Sequence, residues 1–321
     1  MRTFSGIAPV LAVFVGVMYI GLAGSHAGGP ADHHEKASSG ETIVRVPDPS
    51  AAGGVDTHVE RDRRWQTYGG FPLVTKDDAR YELLDNLGFD AGYSEYRKGP
   101  VWVAYRVDAA RLPDRFPRPR GFATDDRTRA RVAHRDYTGT GYDRGHMAPN
   151  HAIASRYGRE AQLETFLMSN VTPQKPALNR ETWRKLEEME AGKWSQKLEE
   201  VWVITGPVFD DERTYLGNGE AGIDIPDAFF KVVIDEAPFD SRMTVHEYSD
   251  RAVAPKRGIR PWHRPRVLAF IVPQDVDGSE PLTEFLVSVD WIEQKTGLDL
   301  MPEVPDDVEE AIESEIADQL W

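Results

Sequence analysis

Four short apolar segments constrain the fold of this chain more than any other sequence feature. They are Val101–Val107 (VWVAYRV), Val201–Thr205 (VWVIT), Phe229–Ile234 (FFKVVI) and Leu268–Val272 (LAFIV). Runs of this length that are rich in β-branched and aromatic residues are typical of β-strands. The intervening segments contain Gly and Pro and do not show a helix after each strand. We therefore predict an α+β fold with a mostly antiparallel central sheet and flanking helices.

Three helices are also expected. The first runs from Asn179 to about Ala191, with Asn179 as its N-cap and Gly192 at its end. Asparagine before Glu and Thr is a good N-cap signal. The second covers residues 290–296 and stops at Gly297. The third covers residues 306–319, where apolar side chains recur every four positions.

The two ends of the chain differ in composition from the middle. Residues 1–27 combine Arg2, a long apolar run and small residues, which predicts a secretory signal peptide or an uncleaved N-terminal membrane anchor. Residues 28–59 are rich in small and polar residues and are predicted to be a flexible linker. We expect the functional domain at residues 60–300 and an acidic, helical tail at 301–321.

The absence of cysteine excludes a disulfide framework, thiolate zinc sites and cysteine nucleophiles. The net charge of −15 argues at first against a nucleic-acid partner. Its distribution reverses that view, because residues 61–180 contain 21 Lys and Arg against 15 Asp and Glu. Six basic residues and no acid follow in the loop 251–266. A basic middle can present a positive groove to phosphates, although such charges are more often an ordinary solvated surface.

The chemistry is concentrated in the segment 138–150, TGTGYDRGHMAPN. Its glycines at 139, 141 and 145 are expected to force tight turns, which would place Asp143, Arg144 and His146 together in an irregular loop. Asn179 follows at the start of the first predicted helix. Glu187 lies eight residues later, about 80° from Asn179 around a regular helix, so both side chains can face one site.

This residue set suits phosphodiester hydrolysis. An unperturbed imidazole has a pKa of about 6.5, so His146 can take a proton from water near neutral pH. A hard cation such as Mg²⁺ prefers oxygen ligands such as the carboxamide oxygen of Asn179, and Glu187 could hold a water molecule bound to the metal. Arg144 and Arg97 can stabilise charge on phosphoryl oxygens.

Each of these residues also has an ordinary structural interpretation. Asp143 and Arg144 could form a surface ion pair, and His146 could be a hydrogen-bonded loop histidine. Asn179 could be an N-cap only, and Glu187 a solvated helix residue. Taken singly, each residue favours the structural interpretation about three times in four.

A family resemblance supports the functional interpretation. Residues 142–149 (YDRGHMAP) closely resemble the DRGH motif of the DNA/RNA non-specific endonucleases, the ββα-metal or His-Me finger nucleases that include mitochondrial endonuclease G. Further segments resemble the same family in order, namely 96–97 with 102–105 (YR, WVAY), 169–174 (SNVTPQ), 178–187 (LNRETWRKLE), 203–209 (VITGPVF) and 225–231 (IPDAFFK). Phe230 stands where the family more often has Tyr. The resemblance extends from about Gly92 to Gly297.

The resemblance implies a role for each site residue. It implies that His146 is the proton acceptor, Asn179 the protein ligand of the metal and Glu187 the support for metal-bound water. It also implies that Arg144 and Asn170 belong to the active site, with Arg97 the least specific part of the match. A ββα-metal finger at the centre of the fold and Mg²⁺, with Mn²⁺ as the alternative metal, follow from the same resemblance.

The sequence thus predicts an exported nuclease that cleaves DNA and RNA, located in the periplasm, outside the cell or on a membrane anchor. Two other functions stay open: a catalytically silent nucleic-acid-binding relative, and a phosphodiesterase for another substrate. A homodimer and a protein inhibitor are also open as partners. A membrane is expected as a partner only if residues 1–27 stay uncleaved.

Overall fold

The computed structural model describes residues 66–76, 79–112, 116–217, 221–236 and 265–321. The predicted export segment 1–27, the linker 28–59 and nearly all of the basic loop 251–266 lie outside the described residues. In the part of the chain that is described, no helix is both long enough and apolar enough to cross a lipid bilayer.

Seven antiparallel strands form the central sheet, in the order β10-β9-β8-β7-β4-β3-β2. In chain order they are β2 (Glu82–Asp85), β3 (Asp90–Ser94), β4 (Gly99–Asp108), β7 (Glu200–Val208), β8 (Ala228–Asp235), β9 (Arg266–Pro273) and β10 (Leu286–Val287). The four predicted strands are β4, β7, β8 and β9, which lie side by side. The predicted α+β class with an antiparallel sheet is confirmed.

Two small pairs of strands complete the β-structure. Strand β1 (Leu73–Val74) pairs with β11 (Leu298–Asp299), and β5 (Asp143–His146) pairs with β6 (Val171–Gln174). Both pairs are antiparallel. The second pair contains the DRGH motif, so this motif is a strand and the predicted irregular loop is wrong.

The central sheet separates two hydrophobic cores. Side chains alternate between the faces of a strand, so Val103 and Tyr105 of β4 enter one core while Trp102 and Ala104 enter the other. Because both faces of β4, β7 and β8 are covered, these strands are apolar almost throughout. Their nearly continuous apolar sequence is the reason that these strands could be predicted from the sequence.

The first core is covered by two helices. Helix α1 (Asn150–Thr165) was not predicted from the sequence, and it is interrupted at Gly158, whose φ of 89° and ψ of −168° are not helical. This break and a weak apolar stripe explain why helical periodicity did not reveal it. Helix α2 covers residues 176–198 and packs Trp183, Leu186 and Trp194 into the same core.

Helix α2 consists of alternating π-helical and α-helical segments. They are Leu178–Trp183 (π), Arg184–Glu188 (α), Met189–Trp194 (π) and Ser195–Leu198 (α). Ala177 already has helical φ and ψ (−63° and −46°), and Asn179 N donates a hydrogen bond to Lys175 O, so Asn179 lies inside the helix and the prediction that it caps the helix is wrong. The predicted end at Gly192 is also wrong, because the helix continues until Trp194 is fully buried.

The second core is covered by α3 (Val289–Thr296) and α4 (Asp306–Glu313). Helix α3 begins after Ser288, whose side chain accepts a hydrogen bond from Trp291 N, and ends at the left-handed Gly297, as predicted. Helix α4 is shorter than the predicted 306–319. Beyond it the chain continues without regular structure to Trp321, whose ring lies 5.9 Å from that of Trp194.

Candidate active site

Strands β5 and β6 present the DRGH motif beside helix α2. Their register pairs His146 with Val171 and Gly145 with Thr172. Gly145 is needed because the buried amide of Gln174 occupies the space where a Cβ would lie. Only Gly139 and Gly141, upstream of the strand, have the positive φ that was expected of the motif glycines. The strand pair and α2 together form the ββα unit.

His146 is almost fully buried between two aromatic rings. Its ring centroid lies 5.0 Å from that of Phe122 and 4.9 Å from that of Phe166. Burial and the positive charge of Arg118 lower its pKa to about 3, so the imidazole is neutral at physiological pH. Within the described part of the chain, Nε2 has no hydrogen-bond partner. A neutral histidine with a free ring nitrogen is a competent proton acceptor.

Asn170 acts on this site through the backbone. Its Oδ1 accepts a hydrogen bond from Ala148 N at 2.8 Å, and its Nδ2 donates to Ala148 O and Thr165 O, both at 3.0 Å. The side chain is fully buried. These bonds hold the segment that follows His146 against the end of α1, so Asn170 is a positioning residue for the histidine.

The orientation of the Asn179 amide is set by Asp143. Asn179 Nδ2 donates to Asp143 Oδ2 at 3.0 Å, which directs its carbonyl oxygen away from this carboxylate. Arg180 binds the same carboxylate through two hydrogen bonds of 2.7 Å. Burial opposes ionisation of Asp143, but the hydrogen bonds from Arg180 and Asn179 keep its pKa below the usual value. Asp143 therefore pairs with Arg180, and not with its neighbour Arg144.

Glu187 is half-buried on α2. Burial raises the pKa of Glu187 to about 7, although the charge of Lys231 opposes this shift. Glu187 lies about two turns beyond Asn179 on the same helix.

A buried ion pair fixes α2 to the central sheet. Lys231 of β8 pairs with Glu190 of α2, and both side chains are fully buried. Tyr105 of β4 donates a hydrogen bond to Glu190 Oε2 at 2.7 Å. The ammonium group also lies 4.7 Å from the centre of the Trp183 ring. Since Glu187 and Glu190 are three residues apart on one helix, this ion pair also holds Glu187 in place.

Arg118 is a site residue that the sequence motifs do not reveal. Its exposed guanidinium lies 5.2 Å from the centre of the Phe166 ring. Its positive charge lowers the pKa of both His146 and Glu187, so it is close to both groups. The signal that could have revealed it is the Arg- and Pro-rich segment 111–120, which precedes the motif and has no secondary-structure period.

The other two arginines have partners outside this cluster. Arg144 donates to the carbonyl oxygen of His134 at 3.1 Å and to Thr138 Oγ1 at 3.1 Å, which anchors the loop before the motif. Arg97 forms a buried ion pair with Asp224 at 2.9 Å. Its guanidinium also lies 4.4 Å from the centre of the Phe209 ring. Both contacts fix the Arg97 side chain beneath the turn between β3 and β4, where its role is structural.

The oxygen donors fit a hard divalent cation. The side-chain amide nitrogen of Asn179 donates its hydrogen bond to Asp143, so the side-chain carbonyl oxygen of Asn179 is the atom available to a metal ion. Glu187 provides a carboxylate from the same helix. Mg²⁺ requires few protein ligands and prefers neutral or anionic oxygen. Asn179, with Glu187 eight residues further along the same helix, is therefore compatible with one Mg²⁺ that retains most of its water.

The comparison with protein families identifies the class. A model described as DNA/RNA non-specific endonuclease matches residues 68–307, which include the whole ββα unit and the central sheet. The chain is therefore a member of a nuclease family. It belongs to the DNA/RNA non-specific endonucleases and is similar to endonuclease G.

Individual relatives agree with this assignment. The chain is 28% identical to a mitochondrial nuclease of Saccharomyces cerevisiae over 256 residues, which cover 75% of this chain and 71% of the relative. It is 32% identical to human mitochondrial endonuclease G over 228 residues (66% and 67%). It is 29% identical to a nuclease of Serratia marcescens over 221 residues (66% and 72%).

The fold is also found among solved structures. One chain in a crystal structure of the EndoG/EndoGI complex superimposes with a TM-score of 0.58, covering 76% of this chain and 91% of that one. Their sequences are 21% identical, so this likeness concerns the fold.

Proposed function

We propose that this protein is a Mg²⁺-dependent endonuclease that hydrolyses DNA and RNA with His146 as the general base. The observation that carries the proposal is the state of His146, a buried neutral imidazole whose Nε2 has no partner among the described residues. Family membership supports phosphodiester cleavage, and Mn²⁺ is the alternative metal.

Different residues of this chain carry out different parts of the proposed reaction. His146 Nε2 takes the proton of a water molecule as its oxygen attacks phosphorus, and the bond to one ester oxygen breaks. Arg118 compensates negative charge on the phosphoryl oxygens. Its guanidinium is exposed, and its positive charge is close enough to lower the pKa of His146. Asn179 would hold Mg²⁺, which supplies charge stabilisation to the phosphate when it is bound, and Glu187 would hold a water molecule bound to that ion.

Several residues keep this arrangement in place. Asn170 fixes the backbone after His146, Asp143 orients Asn179, and Arg144 anchors the loop from His134 to Thr138. In this proposal Arg144 and Asn170 are positioning residues. Arg97 stabilises the fold through Asp224.

The test uses the purified chain with circular DNA and, separately, with single-stranded RNA. We expect cleavage of both in Mg²⁺ and none in EDTA. The His146→Ala protein should keep its fold by circular dichroism and lose activity by about 10²–10⁴-fold, the usual contribution of a general base. A folded His146→Ala protein with normal activity would contradict the mechanism, and wild-type protein that cleaves neither polymer would contradict the function.

We also propose that the enzyme acts outside the cytoplasm. The support is the apolar run within residues 1–27, followed by small residues of the kind that precede a cleavage site. An uncleaved run would instead anchor the domain to a membrane. Fractionation of the producing cells with N-terminal sequencing distinguishes these forms. Full-length protein that begins at Met1 in the soluble cytoplasm would disprove export.

A protein inhibitor is a further proposal. The solved complex concerns inhibition of EndoG, whose fold this chain shares. A non-specific nuclease is also dangerous to the cell that makes it. The homodimer stays a prediction from the sequence, to be tested by size-exclusion chromatography with light scattering.

A further inference from the structure

A group of carboxylates joins the two helices on the second core, which lies across the sheet from His146. Asp290 and Glu293 belong to α3, and Glu313 is the last residue of α4. One carboxylate oxygen from each of the three residues lies within 4.8 Å of the other two. A single ion could therefore contact all three.

Glu313 is the unusual member of this group. The residue is only 6% exposed, and its Oε1 has no hydrogen-bond partner in the described part of the chain. A buried carboxylate oxygen without a partner is costly unless something compensates its charge. The other members of the group are themselves carboxylates, so they cannot provide that compensation.

The surroundings add more negative charge. Glu293, Glu309, Asp290 and Asp299 all place negative charge near Glu313. Asp299 Oδ1 is a second buried carboxylate oxygen in this region, and it also lacks a hydrogen-bond partner among the described residues. The region therefore combines an excess of negative charge with unused oxygen atoms.

One member is already fixed in orientation. Glu293 Oε1 accepts a hydrogen bond from Leu300 N at 2.7 Å, which holds the side chain and leaves Oε2 for another partner. Leu300 is fully buried, so this bond connects the carboxylate group to the core. A ligand here would join α3, α4 and the segment between them.

We propose that Asp290, Glu293 and Glu313 bind a divalent cation of the Ca²⁺ type, separate from the Mg²⁺ proposed at Asn179. The donor set consists of carboxylate oxygens from two helices, and Ca²⁺ accepts several such ligands in a flexible geometry, whereas Mg²⁺ demands a near-ideal octahedron. The cation would fasten α4, and with it the acidic C-terminal segment, to α3. Its role is structural, since it lies on the other side of the sheet from His146.

A shared proton is the competing explanation. A neutral Glu313 would also relieve the repulsion, and then no metal is required. The two explanations differ in what Ca²⁺ does. A cation site gives stabilisation that increases with the logarithm of the Ca²⁺ concentration, whereas a protonated cluster gives none.

The experiment uses the full chain carrying Asn179→Ala, so that the proposed catalytic metal does not contribute. Thermal unfolding is followed in EDTA and in rising Ca²⁺, and Tb³⁺ luminescence is excited through Trp291, the neighbour of Asp290. We expect the melting temperature to rise with Ca²⁺ and Tb³⁺ to be sensitised. In Glu313→Gln the dissociation constant should increase by at least about tenfold, a loss that even an outer-shell ligand partner can cause.

Glu310→Gln is the matched control, because it removes one exposed negative charge from the same helix without touching the group. It should keep the full Ca²⁺ effect. Asp290→Asn, on the exposed side of the group, replaces Glu313→Gln if that variant does not fold. With Asn179 restored, Glu313→Gln should keep normal nuclease activity in Mg²⁺. The proposal is overturned if Ca²⁺ does not stabilise the control, or if it stabilises Glu313→Gln and Asp290→Asn equally well.

Discussion

At the scale of single residues, the surroundings of His146 keep its imidazole neutral. Its neutral ring lies between Phe122 and Phe166, and the nearby charge of Arg118 opposes protonation. An exposed histidine would take up a proton at a pH of about 6.5. The surroundings of His146 thus keep its ring unprotonated over a wide pH range, and the lowered pKa at the same time makes it a weaker base than an exposed histidine.

This gives a prediction that NMR can check. In metal-free protein, the ring protons of His146 should titrate near the pKa of about 3, well below an ordinary histidine. Arg118→Gln should raise that pKa. The folded state binds fewer protons here than the unfolded state, so stability is lost as the pH falls from about 6.5 towards 3. His146→Gln should remove this part of the acid sensitivity. A midpoint near 6.5 would show that the ring is not buried.

The arginines give a second prediction. Arg118→Ala should lower kcat by about 10²–10³-fold, the usual loss when a preorganised donor to the reacting oxygens is removed. Its melting temperature should be almost unchanged, since the side chain is exposed. The measurement is steady-state kinetics on a defined oligonucleotide, with circular dichroism to monitor the fold.

Arg97→Met is the matched control for this experiment. It should unfold at a lower temperature, because Asp224 loses one of its two arginine partners, and it should keep its activity per folded molecule. If Arg97→Met loses catalytic activity while Arg118→Ala keeps it, then Arg97 and not Arg118 binds the phosphate.

The sequence predicted some of these residues and not others. His146, Asn179 and Glu187 stand in segments that resemble the family motifs, so the sequence alone suggests them as site residues, and their roles stay predictions. The partnership of Arg97 with Asp224 joins residues 127 positions apart, which no local pattern can show. Arg118 lies in a segment without periodicity. Its place beside His146 depends on the packing of Phe122 and Phe166.

At the scale of elements, the contact between β5 and β6 determines the shape of the motif. Gly145→Ala would place a methyl group in the space of the Gln174 side chain, which is fully buried. We expect a loss of about 1–3 kcal/mol in the free energy of unfolding, the usual cost of overpacking. Activity should fall as well, since His146 follows directly. Chemical denaturation and kinetics measure the two effects.

A double variant tests the cause. Gly145→Ala combined with Gln174→Ala removes the overlap and should recover part of the lost stability. If the double variant is as unstable as the sum of the two single variants, the glycine is required for a reason other than this contact.

The helices show how far element prediction from sequence extends. Helix α3 was predicted well because its signals are local, with polar residues at its start and Gly297 at its end. Helix α2 extends seven residues beyond its predicted end at about Ala191, since the burial of Trp194 outweighs the helix-breaking tendency of Gly192. Its π segments depend on packing against the sheet, and they have no sequence signature of their own.

At the scale of the whole molecule, charge is distributed unevenly. The chain carries a net charge of −15, yet cationic side chains lie close to the candidate site, where Arg118 and Arg180 are both exposed. The acidic residues after Met301 lie mainly with the second core. An anionic protein can therefore still bind an anionic polymer.

This distribution predicts binding that depends strongly on salt and little on sequence. The logarithm of the apparent affinity should fall linearly with the logarithm of the salt concentration, as counterion release requires. Binding can be measured without cleavage by using His146→Ala and fluorescent duplexes of different sequence. Fragments cut by the wild-type enzyme should show no sharp base preference. A flat salt dependence, or cleavage at one sequence only, would contradict this expectation.

The use of both faces of the central sheet has one more consequence. In β7 and β8, neighbouring side chains alternate between the two cores, as Val203 and Ile204 do. Inserting one residue within such a strand would shift the register and send each later side chain to the opposite face. A strand at the edge of a sheet with one solvent-exposed face can sometimes tolerate such a shift. Here both faces of the sheet are covered by packed cores, so neither face has room for the displaced side chains. Natural length variation should therefore be confined to the connections, and these strands should change by substitution alone.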